Sequence, residues 1–163
     1  MAFIDIDSVE PDGPTFYNVT GAVGYGGINM IEDVKVVQFF MKRFYTVFTD
    51  LMKPWGEMTA DGKCGPITRA WITRLQLDLR KFGANCSVDG LVDKAGNNAG
   101  NRTSSISHTD YTIRFLNNAL RHEDPQVYKN LTTHPVVPGD VKLIFLQVQA
   151  QGPPMVFAKA STN

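Results

Sequence analysis

Asp61-Gly62-Lys63-Cys64-Gly65-Pro66-Ile67-Thr68-Arg69-Ala70-Trp71, running on to Leu75-Gln76, is the stretch that decides how this chain folds. Asp61-Gly62 supplies a turn, Pro66 suits the first turn of a helix, and Gly83 is a good stop. Between them Ala70, Trp71, Leu75, Leu79 and Phe82 recur at helical spacing, which predicts an amphipathic helix over 67–82 with those residues inward. Upstream, Val34, Val37, Met41, Phe44 and Phe48 form a second such stripe. It predicts a helix from Ile31 to about Phe48, with Asn29 as N-cap and Asp33 in the first turn. Downstream, Ile113, Leu116 and Leu120 mark a third helix over about 110–121.

The ends read differently. Ala2 to Asp7 alternates apolar and acidic residues, the period of a half-buried strand, and Thr15 to Val23 is also strand-like. Val141 to Gln149 is apolar and β-compatible, and a further short strand is expected at Met155 to Ala158. The two end segments are expected to build a sheet, with each other or with a neighbouring subunit. Lys94 to Ser107, rich in Gly, Asn and Ser, reads as an exposed loop. The chain thus divides into an N-terminal strand extension (1–22), a helical domain (23–122) and a C-terminal strand or docking segment (123–163). An internal echo runs through the middle part. Asp61-Gly62 precedes the helix with Thr68 and Leu75, and Asp89-Gly90 precedes the helix with Thr112 and Leu116, as in a duplicated half-domain.

At 163 residues, 43% hydrophobic and 20% charged, the composition is that of a globular chain with a core. Sixteen basic and sixteen acidic side chains cancel, so nothing favours nucleic acid, whose phosphates select basic patches. No apolar run is long enough to span a bilayer, and the acidic N-terminus is no secretory signal. The expectation is synthesis in the cytoplasm, with the protein either working there or leaving by a route that needs no such signal. Cys64 and Cys86 read as two reduced thiols; a disulfide is the alternative if their Cα atoms come within bridging range.

No catalytic constellation emerges. His108, His122 and His134 lack the close pairing of a zinc site, and no nucleophile elbow or His-Glu-x-x-His helix is present. Gly24-Tyr25-Gly26-Gly27 lacks the lysine and serine of a phosphate loop. No metal and no cofactor is expected. For a carbohydrate or peptide ligand the useful groups are flat aromatics with nearby amides. Tyr25 and Trp55 are the candidate faces, and Asn97, Asn98 and Arg102 the candidate hydrogen-bonding partners; the competing reading is that both aromatics close the edges of the core. Asp61, Gly62, Gly65, Thr68, Asp89 and Gly90 are read as turn-forming structure.

One family carries these elements in this order. Asn29-x-x-x-Asp33-Val34-x-x-Val37-Gln38, then Asp61-Gly62-x-Cys64-Gly65-x-x-Thr68-x-Ala70-Trp71 and Leu75-Gln76, resemble the peptidoglycan-binding-like domains of bacterial and phage cell-wall proteins. Val88-Asp89-Gly90-Leu91-Val92-Asp93 and Thr112-Ile113-x-x-Leu116-Asn117 resemble the end of a longer form. The likeness covers roughly residues 23–120. It departs at Leu75, where the family usually has an aromatic, in the long 94–107 insertion, and at both ends. The resemblance implies a mainly α fold, a three-helix peptidoglycan-binding-like domain with strands added by the terminal segments. It also implies a non-catalytic module that binds or targets peptidoglycan. The alternative is a structural subunit of a phage-tail or contractile-injection assembly, using the domain for protein contacts and self-associating through its terminal strands.

Overall fold

A computed structural model describes residues 2–6, 15–96, 104 and 107–150. Among the described residues helix carries the fold, at 48% against 9% strand. In chain order the elements are β1 (Phe3–Ile6), β2 (Thr15–Asn18), β3 (Val23–Gly24), α1 (Ile31–Val47), α2 (Pro66–Lys81), β4 (Leu91–Val92), α3 (Thr112–Glu123), α4 (Pro125–Lys129) and α5 (Gly139–Ala150). The three expected helices are present within two residues of their sequence-read ends, but they are joined by two more.

α1 is the centre of the molecule. Val34, Val36, Val37, Phe40 and Met41 are fully buried along it, and α2, α3 and α5 all pack against it. The burial runs almost all the way round the helix, which only a helix enclosed by others can satisfy. α2 begins after Gly65 with Pro66 in its first turn, where a missing N–H costs nothing. Its inner face is Trp71, Ile72, Leu75 and Leu79. Two expected core positions differ. Phe82 lies one residue past the end of the helix and turns outward, and Ala70 is only half-buried.

The N-terminal strands pair antiparallel, Phe3 opposite Asn18 and Ile4 opposite Tyr17. β3 and β4 form a second, two-residue ladder. The C-terminal segment is a correction. Residues 141–149 are not a strand and make no sheet with the N-terminus; they form α5, which packs on β1 and α1. Val141, Ile144 and Phe145, at helical spacing, enter the core, and the Phe145 ring meets Tyr17 edge-on at 4.8 Å. Lys35 of α1 and Asp140 pair at 2.6 Å beside the first turn of α5. One continuous apolar core therefore joins Ala2, the central helices and Phe145. The expected strand at Met155 to Ala158 lies outside the described residues.

The internal echo is physical. Gln38 of α1 reaches the 61–68 turn: its Nε2 donates to Asp61 Oδ1, the Lys63 carbonyl and Thr68 Oγ1, while its Oε1 accepts from Gly62 N. Gln76 of α2 repeats the pattern one step on. Its Nε2 donates to Asp89 Oδ1, the Leu91 carbonyl and Thr112 Oγ1, and its Oε1 accepts from Gly90 N. In both turns the aspartate Oδ1 also accepts the N–H two residues on. α3 carries an amide in the corresponding place. Asn117 brackets the Tyr17 backbone, accepting from its N–H and donating to its carbonyl, and so ties β2 to the helices. All three amides are buried and bonded at both ends, as buried polar groups must be.

Candidate ligand groove

Tyr25 stands at the tip of a tightly held loop. Asn29, expected as the N-cap of α1, does other work: the cap position is Met30, and Asn29 sits in the left-handed region with φ 55°. From there its side chain bonds back across the loop, accepting from Gly24 N and donating to the carbonyls of Gly24 and Gly27. The loop is in turn hooked to the second Asp-Gly turn through Tyr25 N and the Gly90 carbonyl, 3.1 Å apart. So braced, it presents the Tyr25 ring to solvent, 72% exposed. An aromatic held rigid and outward pays little entropy on binding a ligand.

Opposite stands the outer face of α2, where Arg69, Thr73 and Leu77 follow one another at intervals of four. The Arg69 guanidinium lies over the Tyr25 ring, 5.7 Å from its centroid. Arg74, beside them, donates through Nε to Asp78 at 2.8 Å. Val88, Asp89 and Gly90 form the floor. Together with Ala70 these residues line a wide-open groove of about 610 Å³, within the size range of small-ligand sites. Its walls alternate an apolar strip (Ala70, Leu77, Val88) with charged or polar groups (Arg69, Thr73, Asp89).

A second cavity lies on the far side of the same turn, lined by Ser87, Asp89, Asp93, Thr109, Asp110 and Thr112. At about 40 Å³ it has room for water and nothing larger. Burial, and then the neighbouring Asp89, push the Asp93 carboxyl above its ordinary range. Among the described residues no group of three or more His, Cys, Asp or Glu is placed to hold a metal.

Of the residues singled out in the sequence, Tyr25, Asp89 and Gly90 come together in the groove. Trp55 is exposed at 73% but is not one of the groove's walls; its carbonyl and that of Gly56 accept from the Trp71 indole N–H. Asn97, Asn98 and Arg102 lie outside the described residues. Asp61, Gly62 and Thr68 belong to the first clasp, and Gly65 is the cap residue that opens α2. Hydrogen bonding holds the Asp61 carboxyl below its usual range, chiefly from the Lys63 N–H. Cys64 and Cys86 are both free, and burial pushes the Cys86 thiol up. Sequence reasoning missed Arg69, Thr73 and Leu77. Their spacing of four on the polar side of α2 was visible, but only the fold sets Tyr25 against it.

The chain has no match among family models, curated proteins or solved structures.

Proposed function

We propose that the chain is a non-catalytic peptidoglycan-binding module, with α1, α2 and α3 as its peptidoglycan-binding-like unit and the Tyr25–Arg69 groove as its binding site. The observation that carries this is the braced loop, which uses a left-handed asparagine and three side-chain bonds to hold one tyrosine ring out in solvent. A core-closing aromatic needs no such device. Backbone held in a rare conformation is often found at binding sites. Co-sedimentation with purified sacculi tests the reading. Wild type should pellet with the wall, and Tyr25→Ala should stay largely in the supernatant with an unchanged melting temperature. Equal pelleting of the two, or none by wild type, contradicts it. Labelled sacculi should release no soluble fragments on incubation.

One observation favours a second reading, a subunit of a phage-tail or injection-type assembly. α5 is apolar on both sides: beneath, Val141, Ile144 and Phe145; outside, Leu143 at 58% and Leu146 at 46% exposure. Two large aliphatic side chains exposed one turn apart on a helix mark a surface that a partner can cover. On this reading Leu143→Gln with Leu146→Gln abolishes docking or self-association, measured as mass in solution, and leaves sacculus binding untouched. No helix among the described residues is long and apolar enough to cross a membrane.

A further inference from the structure

Resting on the wall-binding reading, the chemistry of the groove goes one step further, to the part of the polymer it holds. We infer that it takes the peptide, not the glycan: a short chain offering a free carboxylate and a free ammonium to Arg69 and Asp89, with aliphatic side chains along Ala70, Leu77 and Val88. Among the described residues the Arg69 guanidinium pairs with no carboxylate and lies over the face of Tyr25. Neighbouring Arg74, by contrast, is already paired with Asp78. A guanidinium left unpaired but held in place suits an incoming carboxylate, which it grips with two parallel hydrogen bonds.

Asp89 supplies the opposite charge. Its Oδ1 is committed to Gln76 and to Leu91 N, so the clasp fixes this carboxylate among the residues that line the groove. The groove therefore presents a fixed cation on one wall and a fixed anion on the floor. A zwitterionic peptide replaces the water on both with counter-charges, whereas a neutral sugar replaces it with hydroxyls that carry no charge, the weaker exchange. Sugar stacking is hindered as well, because Arg69 already covers one face of Tyr25.

Calorimetric titration separates the possibilities. The probes are the tetrapeptide Ala-Glu-Lys-Ala, its C-terminal amide, its Nε-acetyl form, and chitotetraose as the glycan. The free tetrapeptide should bind, and amidation and acetylation should each weaken it about tenfold, the effect of losing one charged hydrogen bond. Arg69→Ala should lose the same affinity and become indifferent to amidation, while Arg69→Lys keeps part of it. Asp89→Asn, with its clasp confirmed by an unchanged melting temperature, should become indifferent to acetylation. Rising salt should weaken the peptide complex. If sacculi pellet the protein but chitotetraose binds and the peptide does not, the inference is wrong and the wall reading stands. If sacculi, peptide and glycan all fail to bind wild type, the wall reading itself falls and takes the inference with it.

Discussion

Gln38 and Gln76 occupy the same place on successive helices, 38 residues apart, and each closes an Asp-Gly turn with the same set of bonds. What lies over the turn differs. At the first, Ile31 and Lys35 of α1 press on Gly62, so that a Cβ there would sit 2.7 Å from Ile31 Cγ2. At the second, the helix positions equivalent to Ile31 and Lys35 are Arg69 and Thr73. A Cβ on Gly90 would meet nothing closer than Thr73 Oγ1 at 3.5 Å. One turn is roofed; the other opens on the groove. The comparison teaches that the Asp-Gly motif builds the fold, while the residues lying over it decide whether a site results.

The largest effect should come from α2, which serves both turns by giving Thr68 to the first and Gln76 to the second. Trp71→Ala removes a buried ring and its bonds to the 55–56 backbone, and should cost about 3–5 kcal/mol in denaturant titration. A loss below about 1 kcal/mol would mean the helix is not the shared support described here. Next come the amides themselves. Gln38→Ala and Gln76→Ala each strand buried donors and acceptors, and each should cost about 3 kcal/mol. Similar losses make the clasps equivalent as structure; a loss at one alone breaks the comparison.

A third test uses a place where the copies differ. Phe40 on α1 corresponds to Asp78 on α2, and both are fully buried. Burial pushes the Asp78 carboxyl up, but hydrogen bonds from Arg74, Tyr45 and Lys81 outweigh it and hold it below its ordinary range. A carboxyl depressed in the folded state contributes stability above its unfolded pKa, about 3.9, and loses it as pH falls through the folded value. Because Arg74 and Lys81 are partly exposed, Asp78→Asn should cost about 2 kcal/mol near neutrality, less than a fully enclosed pair would. The gap to wild type should close as pH falls through and below about 4. Parallel acid-unfolding curves would show that the Asp78 carboxyl is not depressed in the folded protein.

The smallest effect, a difference between two glycines, is the most pointed. Gly62 and Gly90 both have positive φ, 80° and 73°, so alanine strains either. Gly90→Ala should cost about 1–2 kcal/mol from the backbone alone. Gly62→Ala should cost about 1 kcal/mol more, because the new methyl must displace Ile31. Equal costs would mean that the first turn is not roofed.

α2 was legible in the sequence because its contrasts are sharp: Pro66 before it, Gly83 after it, and Trp71 and Leu75 against Arg69 and Thr73. α5 was not, since Leu143 and Leu146 on its outer face erase the contrast and let the run fit a strand as well as a helix. Val141, Ile144 and Phe145 carried the helical spacing, and Pro138-Gly139-Asp140 carried a helix start, but the outer leucines masked both. Phe82 follows Leu79 at the right interval, yet the helix stops at Lys81 and the ring swings out. The groove was half-legible. Tyr25, flanked by glycines, could be read either as a presented ring or as one closing the core edge, and its exposure decides for the first; Arg69 is 44 residues away and is brought near it by the hook from Tyr25 N to Gly90.

The central claim is that ligand binding belongs to the second turn and not to the first. Amide chemical-shift mapping with peptidoglycan fragments released by a muramidase tests it directly. The account predicts shifts confined to residues 24–29, 69–77 and 88–90, with 61–65 and α5 unmoved. Shifts centred on 61–65, or on Leu143 and Leu146, would contradict it.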